Sequence, residues 1–260
     1  LRDPTSLEGA LLLVDEVHNL VERGRAIWSP AIAEAEVRRL SEAIGTTSPR
    51  TATAAQEAAA EVLELLRDAA SVLPPAADPF ALPTDLVPLD LPRLEDVRLS
   101  MESLLVRHLA DLRNGGERVP DDPVLGLYFL FAGFHDVARK AAPGGRLAEA
   151  FDLIASRGAD GARLAFLCKD PSRLLGETFD AAHATVGMSA TLSPPEFYRD
   201  LLGLDPDRTS VLALPSPFPP ENRAVVVAPG VDTTWKGRGA AMPRIARVVA
   251  DVAEACPGNV

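Results

Sequence analysis

Cysteine is almost missing from this sequence: Cys168 and Cys256 are the two present in 260 residues, and they stand far apart. That count excludes a disulfide framework and a cysteine-built zinc site, and it makes the reducing cytoplasm the expected compartment. Long apolar runs are missing too. The longest, Val124–Phe134, falls well short of the ~20 residues a spanning helix needs, so no membrane partner is expected. Positive charge is in deficit, with 26 Lys and Arg against 37 Asp and Glu, a formal charge of −11 and a pI near 4.9. A chain so acidic does not coat nucleic acid by bulk charge, although a local basic groove stays open to it. A signal-peptide pattern is absent, and the chain runs from Leu1 to a Pro257-Gly258 turn before Val260, which reads as a fragment of a longer protein. What is present is 47% hydrophobic residues, enough for a buried core in one large domain or two smaller ones.

The run Ala10–Val14, bounded by Gly9 and by Asp15-Glu16, reads as a strand buried on both faces of a parallel sheet. Residues 34–44 place Glu34 and Glu36 ahead of Arg38 and Arg39, matching a short helix and its dipole. From Thr53 to Leu73, a Thr53-x-x-Gln56 capping box precedes an apolar stripe of Ala55, Ala59, Val62, Leu66, Ala69 and Leu73. Pro74, Pro75, Pro79, Pro83, Pro88 and Pro92 make the next stretch an extended connector.

A second long helix is expected from Pro92, with Leu94, Val97, Met101, Leu104, Leu105, Leu109 and Leu112 inward. A third, after Asp121-Asp122-Pro123, is apolar on nearly every side and should be buried. The period then changes: residues 151–156 and 163–169 flank Gly158-Ala159-Asp160-Gly161 as a β-hairpin. Strands at 185–189 and 223–228 and helices at 195–202 and 240–255 complete the reading. A strand, a helical block, then strands and helices again describe an α/β domain carrying a helical insertion.

Two motifs carry chemistry. In Leu11-Leu12-Leu13-Val14-Asp15-Glu16-Val17-His18, Asp15 ends a strand, where a nucleotide hydrolase needs an oxygen ligand for Mg²⁺, and Glu16 stands where a general base would activate water. His18 and Asn19 strengthen that reading over one of merely solvated acids. Ser189-Ala190-Thr191, at a second strand end, offers hydroxyls that can bond both to the acidic strand end and to a neighbouring domain.

DEVHN at 15–19, CKDPS at 168–172, MSATLSPPEFYRDLLGL at 188–204 and PSPFPPENR at 215–223 together resemble the bacterial branch of the XPD/DinG-type superfamily 2 ATP-dependent DNA helicases. The resemblance implies a partial RecA-like (P-loop NTPase) motor domain with a mainly helical Arch insertion and the start of a second RecA-like domain. In that reading 1–21 and 151–204 belong to motor domain 1, 22–150 is the Arch, and 205–260 opens motor domain 2. It further implies that Asp15 binds Mg²⁺ through water and Glu16 activates the hydrolytic water. His18 would contact Ser189, Ala190 and Thr191 to link the ATP state to movement on single-stranded or forked DNA, with DNA repair as the setting.

Two positions depart from the family: Val17 replaces the Ala of DEAH, and Lys169 stands where an acid is common. No G-x-x-x-x-G-K-S/T phosphate loop occurs, so the chain alone is expected not to hydrolyse ATP. An iron–sulfur cluster, common in the family, has no ligands in Cys168 and Cys256, so one would belong to the full-length protein and not to this fragment. A non-catalytic helical interaction module with a vestigial DEVH, and a DEAH-type RNA helicase, are the alternatives. His108, His135 and His183 read as ordinary core or surface histidines. Arg38, Arg39, Arg98, Arg107, Arg113 and Arg118 read as solvated helix faces, and Lys236, Arg238, Arg244 and Arg247 form a tighter basic cluster.

Overall fold

A computed structural model describes residues 6–47, 51–73, 84–115, 120–222, 225 and 227–255. In chain order its elements are β1 (Leu11–Val14), α1 (Leu20–Ile27), β2 (Ala31–Ala33), α2 (Glu34–Thr47), α3 (Ala52–Ser71), β3 (Thr84–Leu86) and α4 (Leu91–Arg113). There follow α5 (Pro123–Lys140), β4 (Phe151–Gly158), β5 (Gly161–Cys168), α6 (Ser172–Asp180), β6 (Ala184–Gly187), α7 (Pro195–Leu201) and α8 (Arg238–Ala255). The chain divides into two units, Leu1–Val211 and Leu212–Val260. No helix among the described residues is long and apolar enough to cross a membrane.

The first unit holds two sheets. β1 and β6 form a parallel pair, and β2-β5-β4-β3 form an antiparallel sheet. The hairpin expected around 158–161 is present: Gly158 pairs with Gly161 across a two-residue turn, and Gly161 takes φ +96°, a conformation glycine adopts without steric cost. The block between β1 and β6 is not helical throughout. β2 and β3 are unforeseen strands of three residues each, and they flank the hairpin. The hairpin packs on α3 and α5 through Leu153, Ala155, Leu164 and Phe166, the Phe166 and Phe134 rings lying 4.8 Å apart, so it shares the core of the helical block. α1 and α6 are further helices that periodicity did not indicate.

The long helices start where the chemistry directs. Asp90 accepts the Arg93 amide at 3.1 Å ahead of α4, and Asp122 accepts the Val124 amide at 2.9 Å ahead of α5, each with proline in the first turn. α3 begins at Ala52, so Thr53 lies inside the first turn and is not the cap of a capping box. On α4, Leu109 faces solvent and His108 takes the buried position, because the Asp122 carboxylate waits there at 2.7 Å from its Nε2. On α5, Val124, Leu127, Phe131 and Phe134 are buried while Phe129 is exposed, so the helix has a wet side despite its composition. β1 departs in the same direction. Leu11 and Leu13 are 70% and 74% exposed, since Val17, Val21, Leu175 and Leu202 cover only the other face of the pair.

Residues 74–83 of the proline-rich connector lie outside the described residues, as do Arg118, Cys256 and residues 223, 224 and 226 of the strand expected at 223–228. Val225 and Val227 are not in a strand. In the second unit, α8 begins two positions before the expected start, at Arg238.

One side chain ties the helical layer to the hairpin. Glu34, at the start of α2, accepts the Ala162 amide at 3.0 Å and the Arg38 guanidinium at 2.7 Å, and these two contacts hold its carboxyl below the usual glutamate range. The folded state therefore binds this proton less tightly than the unfolded chain. Its stabilisation is present above the ordinary glutamate range and is lost as pH falls through the depressed folded value. Glu34→Gln is expected to flatten the acid limb of a urea-midpoint profile taken from about pH 7 to pH 3; an unchanged limb would remove Glu34 from that account. Asp122→Ala removes the α5 cap and strips buried His108 of its carboxylate, a combined loss of about 2–4 kcal/mol in urea unfolding.

Candidate functional site

Leu11 lies opposite Ala184 and Val14 opposite Gly187 in the parallel ladder, so the DEVH and SAT segments leave the same end of neighbouring strands. Two backbone bonds extend the ladder past the strands: the Met188 amide donates to Val14 O at 2.8 Å and the Val17 amide to Met188 O at 3.0 Å. To make the second bond the chain must turn at once after Asp15. It does so at Glu16, whose φ of 47° and ψ of 44° place a non-glycine residue in the left-handed region at a cost of roughly 1–2 kcal/mol. Burial of Val17 offsets that cost. Val17 points down into the small core with Val21, Leu175 and Leu202, and a Cβ on Gly187 would stand 3.1 Å from Val17 Cγ1. Gly187 is thus the residue that lets the two segments approach, a requirement the sequence signalled only as a glycine just before SAT.

The turn gathers the polar groups around the Ser189 hydroxyl, 171 residues from His18 in sequence. Ser189 Oγ lies 2.8 Å from His18 Nδ1, 3.2 Å from Glu16 Oε2 and 3.2 Å from Thr191 Oγ1, and it accepts the Thr191 amide at 3.2 Å. A serine hydroxyl has one proton and two lone pairs. Ser189 donates to the Glu16 carboxylate and accepts from the imidazole Nδ1–H and the Thr191 amide, which uses all three of its capacities and leaves the Thr191 hydroxyl in contact without a bond to it. Glu16 Oε2 also sits 3.3 Å from His18 Nδ1. Asp15 takes the Glu16 amide on Oδ1 at 2.9 Å, which leaves its other oxygen facing solvent. Ala190 is exposed and contributes spacing alone. Of the residues singled out in the sequence, Asp15, Glu16, His18, Ser189 and Thr191 all stand at this strand end.

Among the described residues no group of three or more His, Cys, Asp and Glu side chains could hold a metal ion by itself. One free carboxylate oxygen at Asp15 suits Mg²⁺ in the form that completes its shell with water and phosphate oxygens, and the site fits that ion only together with a nucleotide. Cys168, the cysteine among the described residues, is not placed as a cluster ligand. Cys168 is buried, its thiol is pushed up by that burial and by Asp170, and its amide donates to Ser29 Oγ at 3.0 Å. Lys169 has a structural occupation, an ion pair with Asp152 of β4 at 2.8 Å. Removing the hub hydroxyl takes away the nearest partner of His18 Nδ1 and leaves Glu16 Oε2 at 3.3 Å: in Ser189→Ala, the His18 ¹⁵N resonances should shift. Unchanged resonances would mean the contact does not persist in solution.

No family model matches the chain, and no curated protein matches it. Among solved structures it is similar to an XPD helicase, with 16% identity and a TM-score of 0.40, over 75% of this chain and 30% of that one. The chain therefore spans less than a third of that helicase's length.

Proposed function

We propose that this chain carries the carboxylate and coupling elements of an ATP-dependent motor that moves along single-stranded DNA, in the manner of the XPD/DinG-type helicases. The observation that carries the reading is the Ser189 hub: DEVH and SAT meet side chain to side chain at one strand end, through the contacts of Ser189 with Glu16 and His18. A vestigial acidic turn has no need of that contact.

In this reading Asp15 would hold Mg²⁺, and the ion would supply charge neutralisation at the phosphates. Glu16 takes a proton from the attacking water. The oxygen that receives it belongs to the same carboxylate on which Ser189 donates. Once protonated, Glu16 is a weaker acceptor, so the step that hydrolyses ATP also loosens the bond to SAT, and His18 keeps Ser189 in register while that happens. The phosphate cradle is supplied by residues outside this sequence, which contains no phosphate loop.

In a motor that includes the phosphate loop, Glu16→Gln is expected to lower ATP turnover by about 10²- to 10⁴-fold while ATP binding is retained. Ser189→Ala should keep basal turnover and lose its stimulation by single-stranded DNA. Full turnover in Glu16→Gln, followed by phosphate release, would refute the assignment.

A further inference from the structure

α4 (Leu91–Arg113) has two faces, and the fold uses one of them. Leu94, Val97, Met101, Leu104 and His108 are buried in the inserted block. The opposite face turns Asp96, Leu99, Ser103, Val106, Ala110 and Arg113 to solvent, with Leu99 56% and Val106 66% exposed. α3 shows how a helix of the same block ordinarily meets water: its exposed side carries Gln56, Glu57, Glu64, Arg67 and Asp68. The outer face of α4 instead has its apolar residues along the middle and one charge of each sign at its ends.

The spacing of these outer residues is that of a packing seam. They follow one another at alternating intervals of three and four residues, the repeat by which one helix presents a straight stripe to another. The stripe is also self-complementary. About the middle of the helix, between Leu104 and Leu105, Asp96 mirrors Arg113, Leu99 mirrors Ala110 and Ser103 mirrors Val106. A twofold axis through that midpoint sets each larger side chain opposite a smaller one and each acid opposite an arginine. Isologous pairing demands this kind of match, in which one residue meets a second and the second meets the first. The charges obey the same symmetry. Arg93 is held by Asp68, and Arg98 by Glu95 at 2.6 Å. Among the described residues, neither the Asp96 carboxylate nor the Arg113 guanidinium has a partner.

We propose that the outer face of α4 is a docking surface for a second copy of this chain, with the two α4 helices antiparallel across a twofold axis at Leu104–Leu105. Leu99 seats against Ala110 of the second copy and Val106 against Ser103 of the second copy. The small partners let the helix axes approach to the low end of the ~8–10 Å range. Asp96 pairs with Arg113 of the second copy at both ends of a seam about 26 Å long. Antiparallel packing also sets the N-terminal end of each helix dipole beside the C-terminal end of the other. A parallel pair fits less well, because it brings Asp96 to Asp96 and Arg113 to Arg113. The contact is one helix wide, so it gives a concentration-dependent dimer and not an obligate one. It uses no group of the carboxylate turn and does not depend on the motor reading.

The test is the association state of the 260-residue chain, followed by sedimentation velocity at concentrations up to about 1 mM, where a monomer–dimer equilibrium is expected. Val106→Glu places a carboxylate in the seam at a position exposed in the single chain, and it should weaken the dimer about tenfold or more. Asp96→Arg and Arg113→Asp should each weaken it about three- to tenfold. The double exchange Asp96→Arg/Arg113→Asp should restore the parent affinity, since it returns opposite charges across the axis, and a damaged fold would not recover in this way. In a Cys256→Ser background, Leu99→Cys/Ala110→Cys should give a disulfide-linked dimer on mild oxidation, while Leu99→Cys alone should not. A chain that stays monomeric throughout, a dimer indifferent to Val106→Glu or to the single charge reversals, or efficient self-linking of Leu99→Cys would each overturn the proposal.

Discussion

The pairing of Leu11–Val14 with Ala184–Gly187 governs everything at the carboxylate turn, because it is the one interaction that brings DEVH and SAT to the same place. Parallel neighbours cannot be joined by a tight turn; they need a crossover, and here the crossover is the entire chain from Asp15 to His183. Closing so long a loop is costly unless its contents are already compact. The inserted block meets that condition with its own antiparallel sheet and a core running from Ile32 to Leu174.

The polar hub inherits its geometry from that ladder. The Val17 amide bonded to Met188 O sets the height of the turn, Val17 in the core below sets its tilt, and the left-handed Glu16 is the residue that absorbs the strain. Strain at Glu16, a non-glycine residue between Asp15 and the Val17-His18 pair, is stored where chemistry is proposed, while the surrounding apolar contacts hold it in place. The same arrangement gives the valine of DEVH its place. The side chain there faces the core, where an added pair of methyl groups gains burial and meets Gly187.

Much of this was legible in residue order. The apolar run ending in Asp15-Glu16, the Asp160-Gly161 turn and the Asp-Pro helix starts each carry their structure in a few adjacent residues, and all appear as elements. β2 and β3 were not legible, because three residues are too few to display a period of two and both strands exist by pairing with the hairpin. Exposure of Leu11 and Leu13 was not legible either, since an apolar strand reads the same whether one face or two are covered. Leu109 and His108 show the third kind of failure. Hydrophobicity favoured the leucine, but Asp122, fourteen positions on, supplies a charge partner that only the fold reveals. At the candidate site the residue types and the meeting of His18 with the Ser189–Thr191 segment were expected, and the left-handed turn at Glu16 that sets their geometry was not, because sequence pattern does not mark it.

The insertion itself is tied off at its base, which is why it can be large without loosening the strand end. Ser29, just before β2, accepts the Cys168 amide from the end of β5 at 3.0 Å, and the Phe166 amide donates to Pro30 O at 3.0 Å. Entry and exit are thereby neighbours in one sheet, and α1 and α6 lead from them back to β1 and β6. For the Ser189 hub, the inserted block then behaves as a short closed connection whatever its internal length, because loop-closure entropy depends on the segments outside the clasp. α1 and α6 both pack their apolar sides on the Val17 core, with Val21 from one and Leu175 from the other. Length in the insertion and precision at the strand end are therefore compatible, and the Ser29–Cys168 contact is the physical link between them.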